Sequence, residues 1–278
     1  MKKEGKFKGV QGVELFYQVL YPKATAPKAA VILVHGHGDH SGGLQNLSTT
    51  LVNQDYLVYG LDLRGHGKST GKRGYIKEWD EYRNDLHEFR KLVASEVPAL
   101  PLFIAGHSIG GVIVLDYTLD YSEGLAGIIA ISPAISYEVT PSERLLITLM
   151  GKLKPDYSIV KTGNPQILTK DPVELDRLAA DELRHDVVTP GLGRGLMRAV
   201  ARLANEAKSI KLPFLLQYGL EDELTPPAKL RQFFDTVSSP NKQKVEYPQM
   251  RHRPFDDLER EQFFEDMIHW LDEQVGNL

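Results

Sequence analysis

Cysteine is absent from this chain of 278 residues. Its absence excludes disulfide bonds, thiol nucleophiles and metal sites built on cysteine. Residues 1–12 are basic and contain no apolar stretch, so we expect no secretion signal in them. The longest apolar runs, such as residues 125–131, are far too short to span a bilayer. We therefore expect a soluble protein of the cytoplasm.

A strong excess of one charge is missing as well. The formal net charge of -4 offers no electrostatic attraction to nucleic acid. Hydrophobic residues make up 42% and charged residues 25% of the chain, which is ordinary for a globular protein. The composition therefore gives no reason to expect a nucleic-acid partner or an obligate protein partner.

Short apolar runs alternate with helical patterns along most of the chain. A pair of short strands is predicted within residues 7–20, and buried strands follow at 29–34, 57–61, 102–105 and 127–131. Later strand candidates are 213–218 and 243–247. An amphipathic helix is predicted at 79–96, and further helices are predicted at 110–121 and 260–275. This alternation predicts an α/β fold with a mostly parallel central sheet and helices on both faces.

One segment, residues 135–207, interrupts the alternation. It shows no convincing strand, and helices are predicted at 144–153, 173–183 and 195–207. An insertion between parallel strands usually lies over the carboxyl edge of the sheet, where ligands bind. We therefore expect a helical cap inserted within a single domain of residues 1–278, with further packed helix as the alternative. Apolar residues of the first cap helix would line an acyl tunnel or pack on the sheet, namely Leu145, Leu146, Ile147, Leu149 and Met150.

Residues 106–110, GHSIG, fit the pattern G-x-S-x-G between a predicted strand and a predicted helix. The sharp strand-to-helix turn needs small residues beside Ser108 and holds its hydroxyl clear of the sheet at a helix N-terminus. Ser108 is therefore the candidate nucleophile.

A serine hydroxyl needs a base, and the base needs an acid to orient it. His252 follows the last predicted strand in a loop, whereas His269 lies inside the last predicted helix. Acids follow the preceding strand at Glu221, Asp222 and Glu223. The order Ser, acid, His is the one used on this type of fold, and it leaves the choice among the three acids open.

Four segments resemble the monoacylglycerol lipase and lysophospholipase group of α/β-hydrolases, which is also grouped with serine aminopeptidases. They are 31–43, 61–76, 106–111, and the pair 218–227 with 250–257. The resemblance implies an α/β-hydrolase fold and selects Asp222 as the acid beside His252. It also implies that the backbone N–H groups of His37 and Ile109 form an oxyanion hole, which would stabilise the tetrahedral intermediate.

Two positions depart from the pattern of that family. His37 stands where the family usually has a small or apolar residue. Arg253 and Pro254 follow His252 where the family tends to have Glu-Leu. The local anchoring of His252 therefore does not follow from the resemblance.

Residues 35–40, HGHGDH, also fit the metal-binding motif of the metallo-β-lactamase fold. Imidazole and carboxylate side chains at this spacing suit two metal ions that activate a hydroxide. Only about 34 residues precede the motif, which is too few for the strands of that fold. A metal site would also leave Ser108, Asp222 and His252 unexplained, so we expect structural roles for His35 and His40.

The resemblance implies a serine esterase acting on monoacylglycerols or similar single-chain esters without a metal or cofactor. The alternatives are a lysophospholipase, a general carboxylesterase, a serine aminopeptidase or the metal-dependent hydrolase. The expected partner is a small lipid ester, with transient contact between the cap and lipid interfaces.

Overall fold

The computed structural model describes residues 1–278. Ten strands are present: β1 (Lys2–Lys8), β2 (Glu14–Leu20), β3 (Ala30–Val34), β4 (Leu57–Leu61), β5 (Leu102–His107), β6 (Gly127–Ile131), β7 (Ile159–Val160), β8 (Val187–Val188), β9 (Phe214–Gly219) and β10 (Lys242–Tyr247). Eight α-helices connect them: α1 (Gln45–Asn53), α2 (Asp80–Glu96), α3 (Ile109–Thr118), α4 (Pro141–Leu153), α5 (Pro172–Ala180), α6 (Pro190–Glu206), α7 (Pro227–Thr236) and α8 (Arg260–Gly276).

Eight strands form one sheet in the order β1-β2-β4-β3-β5-β6-β9-β10. The pairs β1–β2 and β2–β4 are antiparallel, and every other pair in this sheet is parallel. The carboxyl ends of the parallel strands therefore meet at one edge, where ligands bind in such sheets.

Both faces of the central strands are covered, because every residue of β3, β4, β5, β6 and β9 is buried. Successive residues of one strand enter opposite cores. Ile32 packs in the core beneath α2, α3 and α6, whereas Leu33 packs in the core beneath α1 and α8. The predicted mostly parallel sheet with helices on both faces is confirmed.

Two helices of the main fold, α1 and α7, were not predicted. The sequence of α1, QNLSTTLVN, consists mainly of residues with weak helix propensity. Its helical state depends on packing, since Leu47 and Leu51 are buried in the core beside α8.

The segment 135–207, called the insertion below, contains α4, α5 and α6 near the predicted places. The expectation that it contains no strand is wrong, because β7 and β8 form an antiparallel pair within it. Each strand has only two residues, too few for an alternating pattern to be visible in the sequence.

Three of the five apolar residues of α4 do not have either role expected for them, whereas Ile147 and Met150 are half-buried. Leu145, Leu146 and Leu149 are 61%, 56% and 51% exposed, so they neither line an enclosed tunnel nor pack on the sheet. Ile147 is half-buried and points toward α6, where it lies near Gly193.

None of the helices is both long enough and apolar enough to pass through a membrane.

Candidate active site

Ser108 lies at a sharp turn between β5 and α3. Its φ of 55° and ψ of -119° are unusual for a residue other than glycine, and such strain persists only where the surroundings enforce it. The surroundings here are three backbone hydrogen bonds: the Ser108 N–H donates to Ile131 at 2.9 Å, and its carbonyl accepts from Val112 at 3.2 Å and Ala134 at 3.0 Å. The strand-to-helix turn predicted around the nucleophile is therefore present.

Gly110 allows α3 to approach β3 closely. A Cβ atom at this position would lie 2.3 Å from the Val34 carbonyl oxygen and 2.5 Å from that of His35. Backbone atoms at that distance must move, so we expect Gly110→Ala to lower the free energy of unfolding by about 3 kcal/mol. Urea denaturation measures this change.

Gly163→Ala is the matched control for this prediction. Gly163 lies in the insertion, and a Cβ atom there would have no neighbour within 4 Å. This variant should unfold within about 0.5 kcal/mol of the wild type. Equal denaturation midpoints for the two variants would contradict the close-approach argument.

The turn after β3, residues 35–39, lies directly against the candidate nucleophile Ser108 and is called the oxyanion turn below, after the role that the resemblance implies for it. A Cβ atom on Gly36 would be 3.1 Å from the Ser108 Cβ. The His37 N–H donates to no backbone carbonyl, and Ile109 begins α3, where the first N–H groups of a helix have no partner within it. Two backbone N–H groups without a backbone acceptor therefore lie next to residues that adjoin Ser108, and an oxyanion hole would need donors of this kind.

Asp222 and His252, the candidate acid and base, are in direct contact. The His252 Nδ1 lies 2.8 Å from the Asp222 Oδ2, and both side chains are buried. A carboxylate only accepts hydrogen bonds, so the proton resides on Nδ1 and the Nε2 lone pair is left for a substrate or nucleophile. Of the three candidate acids, only Asp222 contacts the histidine.

The loop after β9 holds the second oxygen of Asp222. Its Oδ1 accepts from the N–H groups of Leu224 at 2.8 Å and Thr225 at 2.9 Å, and the Thr225 hydroxyl bonds Oδ2. Burial alone would raise the pKa of Asp222, but the charge and hydrogen bond of His252 and the bonds from Thr225 lower it overall. The carboxylate is therefore ionised at neutral pH.

His107, which precedes the nucleophile, steadies the loop of His252. Its Nε2 donates to the His252 carbonyl at 3.0 Å, and the two rings lie 4.8 Å apart. Burial, followed by the charges of His252 and Arg253, lowers the pKa of His107 well below its ordinary value. His107 is thus neutral, and sequence reasoning did not identify this role because no motif marks it.

The side chain of His37 lies in a group of three imidazoles. Its ring lies 5.5 Å from that of His66 and 5.4 Å from that of His185, and the latter two are 4.7 Å apart. Burial is the main cause that lowers the pKa of His37 to about 3 and that of His185 to about 4. These rings are uncharged near neutral pH, so they add no cation beside the oxyanion turn.

The residues of the HGHGDH motif have separate partners. His35 bonds the Gly36 carbonyl through Nδ1 and accepts from the Leu63 N–H through Nε2. His40 accepts from the Gly42 N–H and bonds Asp181 of the insertion at 2.7 Å. No group of three or more histidine, aspartate or glutamate side chains is arranged to hold a metal ion. The geometry therefore does not support the metal-dependent alternative, and the structural interpretation of His35 and His40 agrees with their contacts.

Comparison with known proteins gives consistent results. Residues 25–259 match the family described as serine aminopeptidase, S33. The chain is 30% identical over 273 residues to a monoacylglycerol lipase of Mycolicibacterium smegmatis, covering 97% of each protein. It is also 30% identical over 220 residues to monoglyceride lipase of Homo sapiens, covering 77% of this chain and 71% of that one. The crystal structure of Paleococcus ferrophilus monoacylglycerol lipase superposes with a TM-score of 0.82 at 29% identity and covers 99% of both chains. The predicted resemblance and the predicted α/β-hydrolase fold are confirmed.

Proposed function

Because the chain belongs to the serine aminopeptidase S33 family of hydrolases, we propose that it is a serine esterase that hydrolyses monoacylglycerols or similar single-chain esters. The observation that carries this proposal is the buried pair of Asp222 and His252 at the sheet edge that also bears the strained Ser108. The names of its relatives support the substrate class.

In the proposed mechanism, Ser108 attacks the ester carbonyl while the Nε2 of His252 takes its proton. The N–H groups of His37 and Ile109 stabilise the negative oxygen of the tetrahedral intermediate. His252 then gives its proton to the leaving alcohol, and the acyl group stays on Ser108. Water activated by the same histidine releases the fatty acid. Asp222 keeps the imidazole in the required tautomer throughout.

We also propose that the insertion acts as a cap over the site. The His185 N–H donates to the Gly38 carbonyl at 3.0 Å, and the Thr189 hydroxyl donates to the Gly74 carbonyl at 2.7 Å. These contacts join the insertion to the oxyanion turn and to the loop after β4. Substrate would therefore enter past residues of the cap.

A panel of substrates tests the proposed function. The panel comprises monoacylglycerols of several chain lengths, lysophospholipids, p-nitrophenyl esters and aminoacyl amides, each assayed with and without a chelator. We expect the highest kcat/KM with monoacylglycerols, no effect of the chelator, and covalent labelling of Ser108 by a fluorophosphonate, located by peptide mass spectrometry. Turnover of amides alone would contradict the proposal, and preference for lysophospholipids would replace its substrate class.

The exposed leucines of α4 suggest how the cap meets a lipid substrate. Leu145, Leu149 and Leu153 are spaced by four residues and are each more than half exposed, so they form one apolar stripe. We expect Leu145→Gln with Leu149→Gln to reduce hydrolysis of monoacylglycerol in vesicles by about tenfold, since less apolar area can enter the lipid. Parallel assays with vesicles and a soluble p-nitrophenyl ester measure the effect.

The soluble ester should be hydrolysed at the wild-type rate by this double variant. Leu278→Gln is the matched control, because Leu278 is 74% exposed and lies outside the insertion. Equal losses on vesicles and on the soluble ester would contradict a lipid contact through α4.

A further inference from the structure

Five charged side chains of alternating sign form a continuous series of ion pairs, called the ion-pair chain below. Their order is Arg184, Asp39, Arg253, Asp256, Arg177, and successive contacts measure 3.0, 2.5, 2.7 and 3.1 Å. The three central side chains are at most 2% exposed, whereas the two terminal arginines are about one-fifth exposed.

The two ends of the ion-pair chain lie in the cap. Its middle lies in the loop after β3 and the loop after β10, which contain the proposed oxyanion donor and the proposed base. Asp39 is two residues beyond the oxyanion donor His37, and Arg253 directly follows His252. The Arg253 N–H also donates to the carbonyl of Leu168 in the cap at 2.8 Å. The ion pairs therefore connect the oxyanion turn, the base and the cap.

Arg253 contacts three separate acceptors with its three nitrogens. Nη1 donates to Asp39, Nε to Asp256 at 2.7 Å, and Nη2 to the Gly43 carbonyl at 2.7 Å. A planar guanidinium can meet acceptors in three directions, whereas the single ammonium of lysine cannot replace this geometry. The side chain thus fixes the distance between the loop after β3 and the loop after β10.

The carboxylate of Asp39 remains ionised. Burial alone would raise the pKa of Asp39, but the charges of Arg253 and Arg184 hold it well below its ordinary range. Buried ion pairs contribute little net stability compared with apolar packing, because both charges lose their hydration. The main contribution of these ion pairs is therefore a fixed geometry and not stability.

Resting on the proposed function, we infer that Arg253 is a positioning residue that holds the oxyanion turn and His252 in register. Arg184, through its ion pair with Asp39, couples the position of the cap to the positions of both loops.

The test compares kcat per titrated site in the wild type and Arg253→Lys. Active sites are counted with a fluorophosphonate, so unfolded protein does not affect the value. We expect kcat per site for a soluble p-nitrophenyl ester to fall about 100-fold with KM changed less than threefold, because small displacements of reacting groups have effects of this size. A purely structural role would lower the number of sites and leave kcat per site unchanged.

Arg260→Lys is the matched control. Arg260 also bridges the main fold and the insertion, through Asp171 at 2.8 Å, but neither residue belongs to the catalytic loops. This variant should keep the wild-type kcat per site. If the wild type is labelled at Ser108 and Arg253→Lys has the same kcat per site, the inference is overturned and the proposed function stands. If the wild type is not labelled at Ser108, the proposed function is overturned.

Arg184→Met tests the cap end and serves the same purpose if Arg253→Lys does not fold. We expect kcat per site to fall about tenfold, with the combined variant losing less than the product of the two single losses, because residues of one network are not independent. Unchanged kcat per site in Arg184→Met, or a combined loss equal to that product, would overturn the coupling to the cap.

Discussion

Ser108→Ala is expected to lower kcat for ester hydrolysis by about 10⁵- to 10⁶-fold. The hydroxyl is the only group of the site that can form the acyl-enzyme, so the oxyanion donors and the base are left with no intermediate to act upon. Fluorophosphonate labelling should disappear together with turnover. Initial rates with a p-nitrophenyl ester and in-gel labelling measure the two losses.

Ser95→Ala controls for the change from serine to alanine. Ser95 lies in the last turn of α2, where its exposed hydroxyl bonds only the Leu92 carbonyl. This variant should retain full activity. If turnover survives in Ser108→Ala but is lost with a chelator, the proposed serine mechanism is wrong and the metal-dependent alternative at 35–40 must be reconsidered.

Asp222→Asn is expected to lower kcat by about 10⁴-fold while the protein stays folded. The N–H groups of Leu224 and Thr225 require an acceptor, so the amide oxygen takes the place of Oδ1. The amide NH₂ then faces the Nδ1 of His252 and donates to it. His252 is forced into the tautomer that carries its proton on Nε2, where it can no longer accept one from Ser108. Steady-state kinetics and circular dichroism measure activity and folding.

The neighbouring acids provide the controls for this variant. Glu221 and Glu223 are exposed, and Glu221 pairs with Lys170 at 2.7 Å. Glu221→Gln and Glu223→Gln should each stay within about twofold of wild-type kcat, since neither side chain contacts His252. A loss with either glutamine variant comparable to that of Asp222→Asn would show that the acid has been misassigned.

The sheet and most of the candidate site could be predicted because their signals are local. A strand covered on both faces appears as an apolar run, and the turn around Ser108 combines that run with closely spaced small residues. The choice of Asp222 over two adjacent glutamates had no local signal. The choice depends on which side chain of the loop after β9 points toward His252. The backbone N–H groups of Leu224 and Thr225 in that loop hold Asp222 in this direction.

The ion-pair chain was beyond sequence analysis for a related reason. Arg253 and Asp39 are 214 positions apart, and no periodicity connects residues at that separation. The unusual arginine after His252 was the one available sign, but it indicated a departure and not a partner. Similarly, the apolar spacing of α4 predicted a helix without showing whether its apolar side faces the protein or the solvent.

The uncharged imidazoles beside the oxyanion turn also bear on the acidity that the fold can tolerate. In the unfolded chain His37 and His185 would take up protons near pH 6.5, whereas in the folded chain their pKa values are about 3 and about 4. Unfolding therefore binds protons between these limits, and each step toward lower pH favours the unfolded chain. Their contribution to stability is complete above pH 6.5 and declines as the pH falls toward 4, so these histidines favour a neutral environment for the enzyme.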